Sequence, residues 1–199
     1  LSTSGNGYSL TKVGQNQVGL SDVTVDTALG NIVVQQGLLA LQGGTSGLGN
    51  PTNTITIQAG GTVSFFNTAT PWDKRFVLFG DGSTPNLFNY NGVNSIVGQI
   101  TLNGPCVFGA APSSRGTPVS LTASGPIIGT GSLIKGGQQD TVILGGTNTY
   151  LGGTLLTLGA RAGAWESAAA LSERQARLHR WPVLGGFDDE AFDPRRWKP

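Results

Sequence analysis

The chain has 199 residues, enough for one ordinary domain with an appendage, and a net charge of +1, which excludes electrostatic recruitment to nucleic acid or an anionic membrane. Charged residues are 12% of the total, against roughly 25% in an average soluble protein, while glycine takes 32 positions. Glycine costs about 1 kcal/mol per helical position, so a helical protein is excluded, and an ordinary apolar content at near-zero net charge argues against disorder.

The first patterned stretch is SLTKVGQ (9–15), followed by VGL (18–20), and a close copy, SLIKGGQ (132–138) followed by VIL (142–144), lies far downstream. A second pair is nearer: VVQQGLLAL (33–41) resembles ITIQAGGTVSF (55–65), and GGTLLTL (152–158) resembles the end of both. The nearer pair is spaced by about 23 residues. Each unit holds short alternating strands separated by a glycine turn, and alternation places the apolar side chains on one face. A unit this short cannot bury that face alone, whereas stacking units buries it and pairs the strand edges. Asn31, Asn50, Asn53, Asn103 and Asn148 fall at turns, where asparagine tolerates a left-handed backbone and can hydrogen-bond along a stack. The expected fold is all-β, a right-handed parallel β-helix of about six or seven coils over 1–158. An antiparallel sandwich is the competing architecture; its weak point is the lack of clear two-residue hairpin turns.

Between these repeats, GTSGLGN (44–50) is glycine-rich but lacks the lysine of a phosphate loop and opens no convincing helix, so it reads as a solenoid turn. The segment NTATPWDKRFVLFGDGSTPNLFNYNG (67–92) is atypical. It holds the one tryptophan of residues 1–158 and clusters Asp73, Lys74, Arg75, Asp81 and Tyr90. Glycoside hydrolysis needs two carboxylates flanking a sugar, and aromatic rings stack on sugars. Asp73 and Asp81 are therefore the candidate catalytic pair should the chain be a polysaccharide hydrolase, with Trp72, Lys74, Arg75 and Tyr90 as candidate ligand-binding residues. The plainer alternative is that Trp72 packs beside a long loop and Asp73-Lys74-Arg75 forms a solvated turn. Carbonyls around Asp-Gly-Ser at 81–83 leave a calcium site as a minor alternative.

Residues 131–156 read GSLIKGGQQDTVILGGTNTYLGGTLL. They resemble the autotransporter-associated β-strand repeat, also called the passenger-associated transport repeat, whose pattern runs G-x-L-x-K-x-G, a T-L-x-L strand, then G-x-N-x-Y-x-G-G-T. The matching residues are Gly131, Leu133, Lys135, Gly137, Thr141 to Leu144, Gly146, Asn148, Tyr150, Gly152, Gly153 and Thr154, over about 25 residues. Gln139-Asp140 departs from the pattern and adds a residue. A weaker copy covers 8–20. The resemblance implies a secreted or surface-displayed bacterial β-helical passenger. It implies no particular activity. The expected role is structural or adhesive, with glycan binding in the 67–92 segment as a further expectation and a polysaccharide or surface protein as the expected partner.

The pattern breaks after residue 158. All glutamates, three of the four tryptophans and the single histidine, His179, lie beyond it. A boundary near Gly159 is expected, with residues 159–199 forming a helical or irregular tail. AGAWESAAALSERQARLHRW is rich in helix formers, and Trp165, Ala169, Leu171, Ala176 and Leu178 make a rough apolar stripe, ended by Pro182 and Gly185-Gly186. The tail is expected to cap the solenoid or to be foreign sequence, and Trp165, Trp181 and Trp197 could mediate self-association.

Chemistry beyond this is sparse. Cys106 is the single cysteine, so an internal disulfide and a cysteine-based zinc site are excluded. A histidine-dependent triad would need His179, in its helix-like setting, and no G-x-S-x-G occurs. No metal site and no cofactor are expected. No apolar run is long enough to span a membrane. The chain lacks an initiator methionine and a leader peptide, and is expected to be a fragment or a processed product.

Overall fold

The computed structural model describes residues 1–111, 118–136 and 141–157, together with the backbone of 161–163. Three parallel sheets run along the molecule. The first joins β1 (Leu10–Lys12), β3 (Ile32–Val34), β5 (Thr54–Ile57), β7 (Arg75–Phe79), β10 (Ile100–Asn103) and β13 (Ile127–Gly129). The second joins β2 (Gln17–Ser21), β4 (Gly37–Gln42), β6 (Gly61–Phe66), β8 (Pro85–Asn91), β11 (Pro105–Ala110), β14 (Ser132–Lys135) and β16 (Thr154–Leu156). The third is shorter, with β9 (Val93–Ile96), β12 (Ser120–Ala123), β15 (Thr141–Leu144) and β17 (Arg161–Gly163). In each sheet the neighbours come from successive turns of the chain. This is a β-solenoid, and it removes the sandwich alternative, because every strand pair among the described residues is parallel.

Register along the first sheet, Leu10–Ile32–Ile55–Phe76–Ile100–Ile127, gives coils of 22, 23, 21, 24 and 27 residues. Alternation makes this column inward: Ile32, Ile55, Phe76, Ile100 and Ile127 are all fully buried. Leu39, Val63, Leu87 and Phe108 form the facing column of the second sheet. Burying each such side chain contributes roughly 1.5–3 kcal/mol. Phe65 links the columns, with its ring centroid 6.5 Å from Phe76 and 6.3 Å from Trp72.

The core also holds polar groups, most of them tied to backbone or to a neighbour; the buried Asn86 Nδ2 has no partner among the described residues. Lys12 Nζ donates to the carbonyls of Val13, Gly14 and Gln36, and Lys135 Nζ to that of Gly136. At the corner between the second and third sheets, Asn94 Oδ1 accepts from Thr68 N and Oγ1, Asn94 Nδ2 donates to Asn89 Oδ1, and Asn89 Nδ2 donates to the Ser120 carbonyl. Trp72 Nε1 donates to Thr68 Oγ1 at 3.2 Å.

The nearer repeat pair lies on adjacent coils: β3 to β4 stacks on β5 to β6, with Leu39 opposite Val63 and Leu41 opposite Phe65. The distant pair does not share a face. SLTKVGQ lies on the first sheet through β1, and SLIKGGQ lies on the second through β14. All three faces need the same alternation, so similar strings can occupy different faces. Of the turn asparagines, Asn31 Oδ1 accepts from Thr54 N, Asn53 Nδ2 donates to the Leu29 carbonyl and Asn148 Oδ1 accepts from Ile127 N, each to a neighbouring coil. None of the five adopts a left-handed backbone; among asparagines that conformation belongs to Asn67, at φ 48°.

No helix occurs among the described residues, and none therefore is long and apolar enough to cross a membrane. The expected boundary at Gly159, the helical tail with its tryptophans and His179, and Gln139-Asp140 lie outside the described residues. The third sheet continues past residue 158 through β17, which pairs with β15.

Candidate ligand-binding face

The atypical 67–92 segment winds around a full coil, so its residues disperse around the circumference. Trp72 crosses the third face, pairs with Ile96 and is buried, its ring against Phe65. Lys74 is buried, and its amine donates to the Asn50 carbonyl of the preceding coil. Burial pushes that amine down to about 8, with the nearby Asp73 carboxylate opposing the shift. Neither the Trp72 ring nor the Lys74 amine is offered to solvent.

Asp73 and Arg75 are exposed at the start of β7, and Asp81 is exposed beyond its end. Asp81 Oδ1 accepts from Ser83 N at 2.8 Å, Ser83 Oγ at 2.7 Å and Thr84 N at 3.3 Å, closing the turn into β8. These bonds, led by the Ser83 amide, hold its carboxyl below the usual range. The intervening strand alone spans roughly 13 Å at about 3.3 Å per residue. The two carboxylates thus lie beyond opposite ends of a whole strand, whereas glycosidic cleavage uses two carboxyl groups roughly 5–10 Å apart. No group of three or more His, Cys, Asp or Glu gathers among the described residues. The Cys106 thiol is buried, which raises its pKa and leaves it un-ionised.

Tyr90 lies elsewhere, on the outer face of the second sheet, and is 48% exposed. Its ring meets Phe88 edge-on, 4.7 Å between centroids. Phe66 of the adjacent strand is 42% exposed. Two shallow grooves meet at Tyr90. One, of about 290 Å³, runs past Phe88, Pro85, Thr62 and Leu38 to Gln15; the other, of about 220 Å³, is bounded by Phe66, Gln17 and Gln42 over a floor of Ala40 and Ser64. No Asp, Glu, Lys or Arg lines either groove.

Strand β8 creates this relief by carrying two irregularities. Phe65 pairs with Asn89 and Phe66 with Asn91, so Tyr90 has no partner in β6. Val107 pairs with Pro85 and Phe108 with Leu87, so Asn86 has none in β11. Such bulges bend a strand and re-aim its side chains. The small outward residues Gly19, Ala40 and Ser64 align across β2, β4 and β6, and they lower the floor beside the rings.

Of the residues singled out from the sequence, Tyr90 belongs to this face. Phe88, Phe66 and the glutamines were missed. Two signals pointed to them: Phe65-Phe66 are adjacent, so alternation must turn one outward, and Phe88 and Tyr90 are two apart in a polar FNYN context.

The geometry defines a β-solenoid with an uncharged, aromatic outer groove. No protein-family model matches this chain, and neither a curated protein nor a solved structure does.

Proposed function

We propose that this chain is a structural, adhesive segment of a secreted or surface-displayed bacterial protein, a right-handed β-helical passenger of the autotransporter-associated repeat type. The right-handed winding follows the preference of parallel crossovers. One observation carries the reading: the residues behind the family resemblance are those that hold a coil in place. Leu133 and Val142 enter the core, Asn148 bonds to the coil before it, and the Tyr150 hydroxyl bonds to Thr154. Gly131 and Gly152 press on the preceding coil so closely that a Cβ would fall 2.1 Å from the Gly104 oxygen and 2.5 Å from the Gly131 carbonyl carbon. A repeat whose specific positions are spent on stacking is a device for length and display, and the corner turns and outer faces are left to meet partners.

The test is location. Intact cells of the source bacterium are treated with protease and probed with antibody to this chain, beside the culture supernatant. Loss of cell-associated signal on protease treatment, or signal in the supernatant, supports display. A protected, cytoplasmic signal sinks it.

A further inference from the structure

We infer that the outer face of the second sheet around β8 is a binding site for a neutral, linear polysaccharide. Tyr90, Phe88 and Phe66 serve as stacking platforms, and Gln15, Gln17 and Gln42 as hydrogen-bonding partners. The inference rests on the adhesive reading and names its ligand class.

Three observations converge. First, large aromatic rings stand exposed, and one of them, Tyr90, sits at the bulge where β8 has no partner in β6. An apolar ring face held in water is costly unless a ligand covers it, and the C–H face of a pyranose matches it in polarity and flatness. Second, the polar side chains that reach solvent beside the rings are the amides of Gln15, Gln17 and Gln42, since Ser64 is buried and the Thr62 hydroxyl already donates to the Pro85 carbonyl. Amides both donate and accept, as the alternating hydroxyls of a sugar demand. Third, the absence of any charged lining residue matches a neutral ligand and leaves nothing to attract phosphate or uronate.

The shape selects a polymer. Both grooves are open, and they join at Tyr90 across β4, β6 and β8, so a ligand lies along the surface and crosses several coils. A peptide entering as an added strand is disfavoured here, because these strands already have a partner on each side.

The test is native affinity electrophoresis of the full chain through gels containing hydroxyethylcellulose, xylan or mannan, with polygalacturonate as the acidic control. The expected result is retardation by at least one neutral polymer, equal at low and high salt. Tyr90→Ala is expected to weaken it about tenfold or more and Phe66→Ser to weaken it too, while Tyr90→Phe preserves it. Far-UV circular dichroism checks each variant, and if Tyr90→Ala loses its strand signal, Phe66→Ser and Gln42→Ala decide. Mobility unchanged by every neutral polymer overturns the proposal. So does retardation that the folded variants leave intact, or binding to polygalacturonate alone that salt abolishes. Surface location without glycan retention refutes this inference and spares the display reading; retention by a cytoplasmic protein does the reverse.

Discussion

Phe76 and Phe79 share one strand, and replacing each by alanine separates a stacked core from a decorated surface. Phe76 lies in register between Ile55 and Ile100, has no exposed surface and meets Phe65 edge-on at 65°. Removing its ring loses the transfer free energy, leaves a cavity and forfeits an aromatic pair worth about 0.5–1.5 kcal/mol. A loss of about 3–5 kcal/mol is expected, the usual range for phenylalanine to alanine in a core. For a chain of this size each kcal/mol lowers Tm by roughly 2–4 °C, so Phe76→Ala should melt about 6–20 °C lower. Phe79, 40% exposed at the end of the same strand, should lose less than about 1 kcal/mol. The assay is urea denaturation followed by circular dichroism. Because coils touch only their neighbours, a weakened central coil should also let the two halves unfold separately, which lowers the fitted m-value. A Phe76→Ala loss below about 1 kcal/mol, or equal effects at both positions, would refute the stacked-column account.

Further outcomes follow from individual contacts. Lys74 has a folded-state pKa of about 8, below its ordinary 10.5, so the unfolded chain binds more protons between these values and stability should rise with pH across that window; Lys74→Met should flatten the rise in pH-dependent melts. Asp26 accepts from Ala28 N, Thr3 N, Thr3 Oγ1 and Gly5 N, and these bonds, the Ala28 amide first, hold its carboxyl at about 2. Its contribution is present above the ordinary 3.8 and lost as pH falls toward 2, so Asp26→Asn should raise hydrogen exchange at Thr3 and Gly5 at neutral pH and reduce the acid dependence. Gly131→Ala should cost more than about 3 kcal/mol in denaturant melts, because the new Cβ meets backbone. Gly60→Ala, at φ 83° with open space around it, should cost only about 1–2 kcal/mol from backbone conformation.

The strand alternation and the period were readable because they are local consequences of burial. Ile32, Val34, Ile55 and Ile57 sit at every second position, and only a stack lets both pairs point inward. The face each strand occupies was not readable, since Leu10-Thr11-Lys12 and Leu133-Ile134-Lys135 obey one alternation on different sheets. Charges cluster in the sequence of 67–92 around Asp73 and Asp81, yet a segment a full coil long distributes its residues around the circumference. Tyr90 lies within that cluster; Phe66 and Gln17, which line a groove with it, come from coils below and are neighbours only through the parallel register. A bulge has no local sequence signature, so nothing in the sequence marks Tyr90 as the residue left without a partner in β6.

The hydrogen bonds between coils all run along the solenoid's length, and this has a mechanical meaning. Each coil adds one strand spacing, about 4.8 Å, to the rod. The 21 to 27 residues within it would stretch to roughly 70–90 Å once pulled free. Tension along the rod loads these coils in series, so the weakest yields first and lengthens the tether more than tenfold for its share while the rest stay wound. A rod built this way would absorb a sudden pull by paying out chain, coil by coil, before the load reached whatever holds its ends.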